Sequence, residues 1–485
     1  GQYINFTYSN QHFSNFLQDV NLAKHGRSKF GKGKKVVVEF SSPNIGKPFH
    51  IGHIRSTVLG ESVVRVLNSV GYKTIAFNYP SDSGTQVALL LVAATEFKDF
   101  PKIKNEKDML NYYVEINKRI EQDETLAEKA RKTLEQIEGG DPSLNKQLAF
   151  IRDISLAAFQ KNYELLGVKF DETSSESQFV QAGKETVAEA VKKSFAFKAD
   201  TGETVAELKE HGLPNTILLR SNGTTTYLAR DLALADYRFK KYKFDSTVYV
   251  TGSEQKLHFQ QAFKILSLLG RPYASKLHHL PFGLISLPEG AISTRAGRVV
   301  FLEDVLAQAI NAAKEEIKST RKTDYSDAEI NEIAQVVGIG AVKFATLRIT
   351  PEKDILFDFK KMVSFEGDTS AYIQYSYVRA KKILEKIGKI NSKVKFEDYV
   401  FNGSEKELLK ALQSYPVILE KAAKDFQPYY VANYALDLAS KFSNFYEKTP
   451  VIKSENNEIH IRAKIVELSA AVLKDALWHL GIDIP

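Results

Sequence analysis

The sequence predicts an α/β domain built on a parallel sheet, interrupted by a helical insertion and followed by an all-helical domain. Three observations carry this. Val36–Phe40, a helix pattern from Pro48 to Leu67 and the short run Thr74–Asn78 read strand, helix, strand, and such a crossover joins parallel strands. From about 95 to 160 charged helix patterns replace the strand signal. After about 303 nearly every apolar period is helical to the end of the chain.

The elements follow in order. Residues 1–34 hold a β-like run, Tyr3–Tyr8, a helical pattern around Phe13, Phe16 and Leu17, and the basic glycine-rich linker 29–35, which reads as a solvated loop or a phosphate-contacting one. Val36–Phe40 is apolar enough for a buried strand, and Ser41-Ser-Pro-Asn44 ends it. Pro48 suits the first turn of the next helix. The insertion, about 95–165, reads as helices Glu106–Asp123, Thr125–Glu138 and Ser143–Leu166. Strand signals return at Thr216–Arg220, Thr225–Leu228, Ser246–Thr251 and His279–Leu287, with a helix over Leu257–Leu269. The α/β domain is thus expected over 35–300, a helical connecting region over 301–365 and a helical domain over 366–485. In that domain helices are expected at Tyr372–Ile387, Glu405–Ser414 and Val431–Tyr446.

Composition narrows the function. The 485 residues carry 66 Lys+Arg against 59 Asp+Glu, a net +7 that permits a polyanionic partner. The absence of cysteine excludes disulfide frameworks, thiolate zinc sites and cysteine nucleophiles. The longest apolar run, Val87–Thr95, falls short of the about 20 residues of a spanning helix, so no membrane partner is expected. No signal segment opens the chain, and Gly1 in place of Met suggests a trimmed N-terminus; a cytoplasmic location is expected.

The strongest local signal is Pro43-Asn-Ile-Gly-Lys-Pro-Phe-His-Ile-Gly-His-Ile-Arg55, between a strand and a helix. On the expected helix His50 and His53 occupy neighbouring faces of the first turn, and Gly52 lets a ligand press on the backbone. A helix N-terminus favours an anion, and Lys47 with two imidazoles adds donors for phosphate oxygens. This suits nucleotidyl transfer, in which charge on an α-phosphate is stabilised while pyrophosphate leaves. A capping histidine beside a packed one is an equally open reading. A His-x-x-His metal pair lacks a cysteine or an evident third ligand, so no metal site is assigned.

Here the sequence resembles the arginyl-tRNA synthetases. His50-Ile-Gly-His53 is similar to the HIGH signature of class I aminoacyl-tRNA synthetases, and Glu39-Phe-Ser-Ser-Pro-Asn44 with Lys47-Pro48 resembles the arginyl version. The likeness continues through Asn78-Tyr79, Asp82, Gly84, Gln86, Leu166–Asp171, Glu176-Ser177, Ser221–Asp231, Ser253–Phe259, Ser364–Asp368 and Tyr372–Tyr375. Asp82–Gln86 and Thr350–Lys353 lean towards archaeal members. The resemblance implies a Rossmann-type catalytic domain with a helical anticodon-binding domain, and makes 1–34 the remnant of an N-terminal tRNA-binding module. It implies an arginine–tRNA ligase that forms arginyl-adenylate from L-arginine and ATP, with Mg2+ borne by the ATP, and transfers arginine to the 3′-terminal adenosine of tRNA(Arg). A monomer is expected.

Carried onto matching positions, the likeness places ATP at Lys47, His50, Gly52, His53, Ser293, Thr294 and Arg295. It places arginine at Glu39, Ser41, Asn44, His53, Tyr227, Asp231 and Gln255. A guanidinium needs carboxylates and planar acceptors, which agrees. Tyr227 and Asp231 share a face if that stretch is helical. One departure stands out. The family's mobile loop, similar to Lys-Met-Ser-Lys-Ser and in arginyl enzymes to Met-Ser-Thr-Arg-Lys-Gly, is here Ala291-Ile-Ser-Thr-Arg-Ala-Gly-Arg298, with alanine at both lysine positions. Lys47, Arg295 and Arg298 are the cations that compensate; the alternative is a catalytically weakened tRNA-binding paralogue. A generic nucleotidyltransferase with a helical protein-interaction module is the third reading, and the arginine set argues against it. In the helical domain, Tyr377, Arg379, Lys381, Tyr434 and Arg462 are candidates for RNA contact, since unpaired bases stack on aromatics and phosphates meet cations.

Overall fold

The computed structural model describes residues 7–286, 300–320, 325–391, 394, 396, 399–454 and 456–485. Along the chain, α1 (Asn10–Asp19) precedes β1 (Lys35–Glu39), α2 (Ile51–Ser69), β2 (Lys73–Asn78) and α3 (Thr85–Glu96). The insertion is α4 (Glu106–Ile120), α5 (Glu124–Glu138) and α6 (Pro142–Leu165). The chain returns through β3 (Glu172–Thr173) and α7 (Val180–Lys192) to a small antiparallel sheet, β4 (Ala196–Lys198), β5 (Thr204–Ala206) and β6 (Thr216–Leu219). Then come α8 (Tyr227–Tyr242), β7 (Ser246–Gly252), α9 (Lys256–Leu268), β8 (Leu277–Phe282) and β9 (Ile285–Ser286).

The main sheet has the order β3-β2-β1-β7-β8 and every pair in it is parallel. β1 is the pivot, with earlier strands on one side and later ones on the other. The carboxyl ends of β1 and β7 therefore open a crevice at the point where the winding reverses, where such sheets bind ligands. Val36, Val37 and Val38 are at most 2% exposed, which explains the unbroken apolar run. α2 lies tight over this strand: a Cβ on Gly60 would stand 2.1 Å from the Phe40 ring.

Three expectations at this level are corrected. The helix expected from Pro48 begins at Ile51, with His50 as its N-cap. The strand expected over Thr225–Leu228 is instead a helix start: only Thr225 bridges back to Leu219, Thr226 caps, and α8 runs from Tyr227. The strand expected over His279–Leu287 is two pieces, β8 and β9, and the latter pairs with β10 (Ile355–Leu356). Of the opening strand, residues 3–6 lie outside the described residues, and Thr7 and Tyr8 are coil.

The C-terminal region is helical. α10 (Leu302–Thr320) and α11 (Asp327–Leu347) pack together, followed after β10 by the short α12 (Phe359–Met362) and by α13 (Ser370–Ile387), α14 (Gly403–Asp425), α15 (Tyr429–Lys448) and α16 (Asn456–His479). α11 has the length and apolarity of a membrane span, yet 61% of its apolar window is buried, as in a core helix. α16 also reaches the α/β domain: Ser62 Oγ of α2 donates to the His479 carbonyl at 2.8 Å.

Candidate active site

The crevice is a cleft of about 840 Å³, lined by residues from β1, α2, α8, β7 and the segment after it. Its floor starts where β1 ends. Ser41 and Ser42 take left-handed backbone angles, φ 69° and 45°, which non-glycine residues adopt only when their surroundings hold them. The hold is visible. The Ser41 N–H donates to Ser56 Oγ at 2.9 Å, the Ser42 N–H donates to Asn78 Oδ1 at 3.1 Å, and Ser41 Oγ meets the Tyr163 hydroxyl at 3.0 Å. Tyr163 belongs to α6, so the insertion braces this turn. Ser41 and Asn44 both line the cleft.

One wall is the start of α2. His50 is its N-cap rather than a member of its first turn, and this corrects the expectation that both histidines sit on helical faces. Its Nδ1 accepts the Gly52 N–H at 3.1 Å, while His53 Nδ1 accepts the His50 N–H at 3.2 Å. Each ring thus caps backbone donors that the helix leaves free. Both Nδ1 atoms act as acceptors, so in the neutral rings the proton is on Nε2 and each ring keeps one donor. Burial, with the Lys47 charge, pushes His50 down to about 4, and burial together with His50 and Lys47 holds His53 well below its ordinary range. Both are neutral donors at physiological pH. A Cβ on Gly52 would stand 2.8 Å from His50 Cε1, so only glycine leaves the capping ring its place. The capping role and the capacity for phosphate contact coexist in these residues.

The opposite wall is α8 and the turn after β7. Tyr227 and Asp231 share one face of α8, and both line the cleft with Gln255. Tyr227 is half-exposed and its ring packs 4.8 Å from that of His258, whose Nε2 lies 2.7 Å from Asp231 Oδ2. Glu39 is no edge-strand charge: it is buried at the end of the central strand and also lines the cleft.

The sequence reading missed a set of internal partners. Arg230 Nε and Nη2 both donate to Glu176 Oε2, at 3.0 and 2.7 Å, and its Nη1 donates to Thr225. Glu138, the last residue of α5, takes the Thr225 N–H at 3.0 Å and its hydroxyl at 2.9 Å. Arg238 stands 2.5 Å from Glu39. Burial pushes the Glu39 and Glu176 carboxyls up, and these arginines oppose that push. Glu39 and Glu176 are thereby each paired with an arginine from within. Asp231, backed by an imidazole in place of an arginine, and Glu254, exposed in the turn after β7, are the lining carboxylates left for a cationic ligand.

Lys47 is not among the residues lining the cleft; its ammonium lies 5.1 Å from the centre of the Tyr113 ring of α4. Its charge still acts on both imidazoles. Ser293, Thr294, Arg295 and Arg298 lie outside the described residues. Near that segment Leu284 lines the cleft, and the Val300 carbonyl accepts the N–H of Ile51, the first residue of α2, at 3.1 Å. Arg55 fastens the same region, donating to the Gly283 carbonyl at 2.7 Å.

Among the helices of the C-terminal domain, the expectations for Tyr434 and Arg462 fail. Tyr434 is 7% exposed, stacks on Tyr415 and donates its hydroxyl to the Ala411 carbonyl at 2.9 Å, so it is core and offers no face to a base. Arg462 is spent on Glu405 and Glu458 with its side chain 12% exposed, so it offers no free cation. Tyr377 is partly buried and Lys381 is exposed on α13. Arg379 lies 4.6 Å over the Tyr375 ring and 5.3 Å from that of Tyr446, in a second cavity of about 390 Å³.

Comparison with known proteins accords with this geometry. The family model "tRNA synthetases class I (R), catalytic domain" matches residues 15–359, and the DALR anticodon binding domain matches 373–485. An arginine–tRNA ligase of Halothermothrix orenii is 38% identical over 493 residues, covering 100% of this chain and 86% of that one. One of Clostridium perfringens is 37% identical with the same coverage. The solved arginyl-tRNA synthetase of Thermus thermophilus is 26% identical, with a TM-score of 0.83 over 99% of this chain and 86% of that one. These relatives are bacterial and give no support to the archaeal leaning. The chain belongs to the arginyl-tRNA synthetase family of class I.

Proposed function

We propose that the cleft carries out arginine–tRNA ligation, with the guanidinium of arginine at Asp231 and the phosphates of ATP at the start of α2. The observation that carries this reading is the meeting of two opposed sites in one cleft. A helix N-terminus with two neutral imidazole donors faces a wall that carries the carboxylates of Asp231 and Glu254, which among the described residues no arginine or lysine meets. The first suits an anion and the second a cation. A substrate held at both has its own carboxylate between them, near Ser41 and Asn44.

Two steps follow. The arginine carboxylate attacks the α-phosphate of ATP, a P–O bond forms, and pyrophosphate leaves with the electrons of the broken bond. His50 and His53 donate from Nε2 to phosphate oxygens as charge shifts onto the leaving group. Lys47, Arg295 and Arg298 supply the cations that the loop alanines do not. A hydroxyl of the terminal adenosine of tRNA(Arg) then attacks the acyl carbon, the C–O bond to the phosphate breaks, AMP leaves with its electrons, and the hydroxyl proton passes to solvent. Magnesium arrives with ATP, bound mainly by phosphate oxygens and water. Glu39, Tyr227 and Gln255 complete the arginine site, and Tyr377, Arg379 and Lys381 meet the tRNA. We place the protein in the cytoplasm as a monomer.

Asp231→Asn tests the assignment. Losing a charged partner of the guanidinium raises the arginine KM by ~10–100-fold, with the ATP KM little changed. An unchanged arginine KM in tRNA charging assays would sink it.

A further inference from the structure

Behind the cleft wall, beside Glu39, lies a group that neither the chemistry nor the fold explains. Arg238 is fully buried, 0% exposed, yet among the described residues none of its three guanidinium nitrogens has an aligned hydrogen-bond acceptor. Its contact with Glu39 is a close charge contact with poor angles. Around it stand aromatic rings: Phe77 at 3.9 Å from the guanidinium carbon, Tyr249 at 5.5 Å and Tyr79 at 6.0 Å. Other buried arginines here fare better: Arg230 makes four hydrogen bonds and Arg55 reaches three carbonyls. A buried ion pair of this quality gains little stability over apolar side chains of the same volume. Stability alone therefore does not account for Arg238.

Its place on α8 gives an account. Asp231 and Arg238 are seven residues apart, two turns of helix, so one face of α8 carries both. Asp231 faces the cleft and Arg238 stands beneath Glu39. Burial pushes the Glu39 carboxyl up, towards its protonated form, and the Arg238 charge opposes it. The charges that meet Glu39 are Arg238, Asp231 and His258, and Arg238 also meets the Tyr249 and Tyr79 rings or hydroxyls. Of these, Arg238 is the cation that never loses its proton at working pH.

We propose that Arg238 is a positioning residue for arginine selection, which keeps Glu39 ionised and fixed at the cleft wall so that Glu39 and Asp231 both accept from the substrate guanidinium. This rests on the arginine–tRNA ligase reading above. Arg238 touches no substrate and acts through Glu39.

The test is the pH profile of the arginine KM in tRNA charging, from pH 6 to 9, beside kcat and the ATP KM. The parent profile is flat. In Arg238→Met, Glu39 takes up a proton at neutral pH. The arginine KM at pH 7 rises ~10–100-fold and falls again as the pH is raised and Glu39 ionises, while kcat and the ATP KM stay within about threefold. Arg238→Lys restores most of the affinity. In Glu39→Gln/Arg238→Met the rise persists and its pH dependence disappears. A KM equally raised at every pH in Arg238→Met, or a loss confined to kcat and thermal stability, overturns the proposal. If Arg238→Met does not fold, Glu39→Gln decides, since removing that charge alone must raise the arginine KM by about tenfold or more, and an unchanged KM overturns the proposal. A parent that charges no arginine would overturn the ligase reading itself; a parent that charges arginine with failing variants overturns only the role of Arg238.

Discussion

Gly52 shows how one absent side chain sets the geometry of this cleft. His50 can cap α2 only because nothing projects from the residue two places on. In Gly52→Ala the methyl group meets the imidazole, which is flexible and swings aside, so the fold survives with a lost cap of about 1 kcal/mol. The donor aimed at phosphate goes with it. A ~100-fold fall in kcat with a melting temperature lowered by only a few degrees is the expected result; equal retention of activity and stability would show that the ring is not placed by its cap. At this scale the sequence was informative where residues come in ordered blocks. Glu39, Ser41, Asn44, His50, Tyr227, Asp231 and Gln255 all reach one cleft. It was silent on Arg230, Arg238, Glu138 and His258, because a single charge on a helix looks like a solvated one until its partner, far along the chain, is known.

Elements with a sustained apolar period were the more legible ones, with a shortfall at α14, expected over Glu405–Ser414 but running Gly403–Asp425. The insertion helices and α9, α13 and α15 lie within a few residues of their expected bounds, because several turns of apolar period outvote local noise. The three-residue strands β4 and β5 carry too little period to stand out, while α7, as long as α9 and as clearly amphipathic, was left unassigned. The β-branched threonines before Tyr227 imitate a strand, but Thr226 accepts the Ala229 N–H and starts a helix instead. The same limit misplaced Tyr434, since an aromatic on a helix has the same spacing whether it faces the core or solvent. Its substitution separates the two. Tyr434→Phe removes a buried hydrogen bond and should cost about 1 kcal/mol in denaturant unfolding, with the tRNA KM unchanged. A raised tRNA KM at unaltered stability would return Tyr434 to the RNA-facing side.

At the scale of the whole molecule the joint between the two domains is a titratable knot. His479, 0% exposed at the end of α16, contacts Arg27 Nη1 at 3.2 Å and the Tyr415 hydroxyl at 3.1 Å, while its carbonyl holds Ser62 of α2. An arginine only donates, so Nε2 is the acceptor and the ring is neutral. Burial pushes its pKa down from 6.5 to about 4. Between these values the unfolded chain binds a proton that the folded chain does not, so stability rises with pH across the interval and is lost as pH falls. The linked loss is roughly 3 kcal/mol at most. The melting temperature of the parent should fall from pH 6.5 to 4 more steeply than that of His479→Gln; parallel curves would remove His479 as a cause.

The central claim is that this cleft activates arginine, and ATP–pyrophosphate exchange reads it directly. Exchange measured with arginine, lysine and glutamine, each with and without tRNA(Arg), should proceed with arginine alone of the three when tRNA is present. No exchange under any of these conditions, in a protein that still binds the tRNA, would contradict the claim and make Ala291 and Ala296 the mark of a catalytically silent tRNA-binding relative.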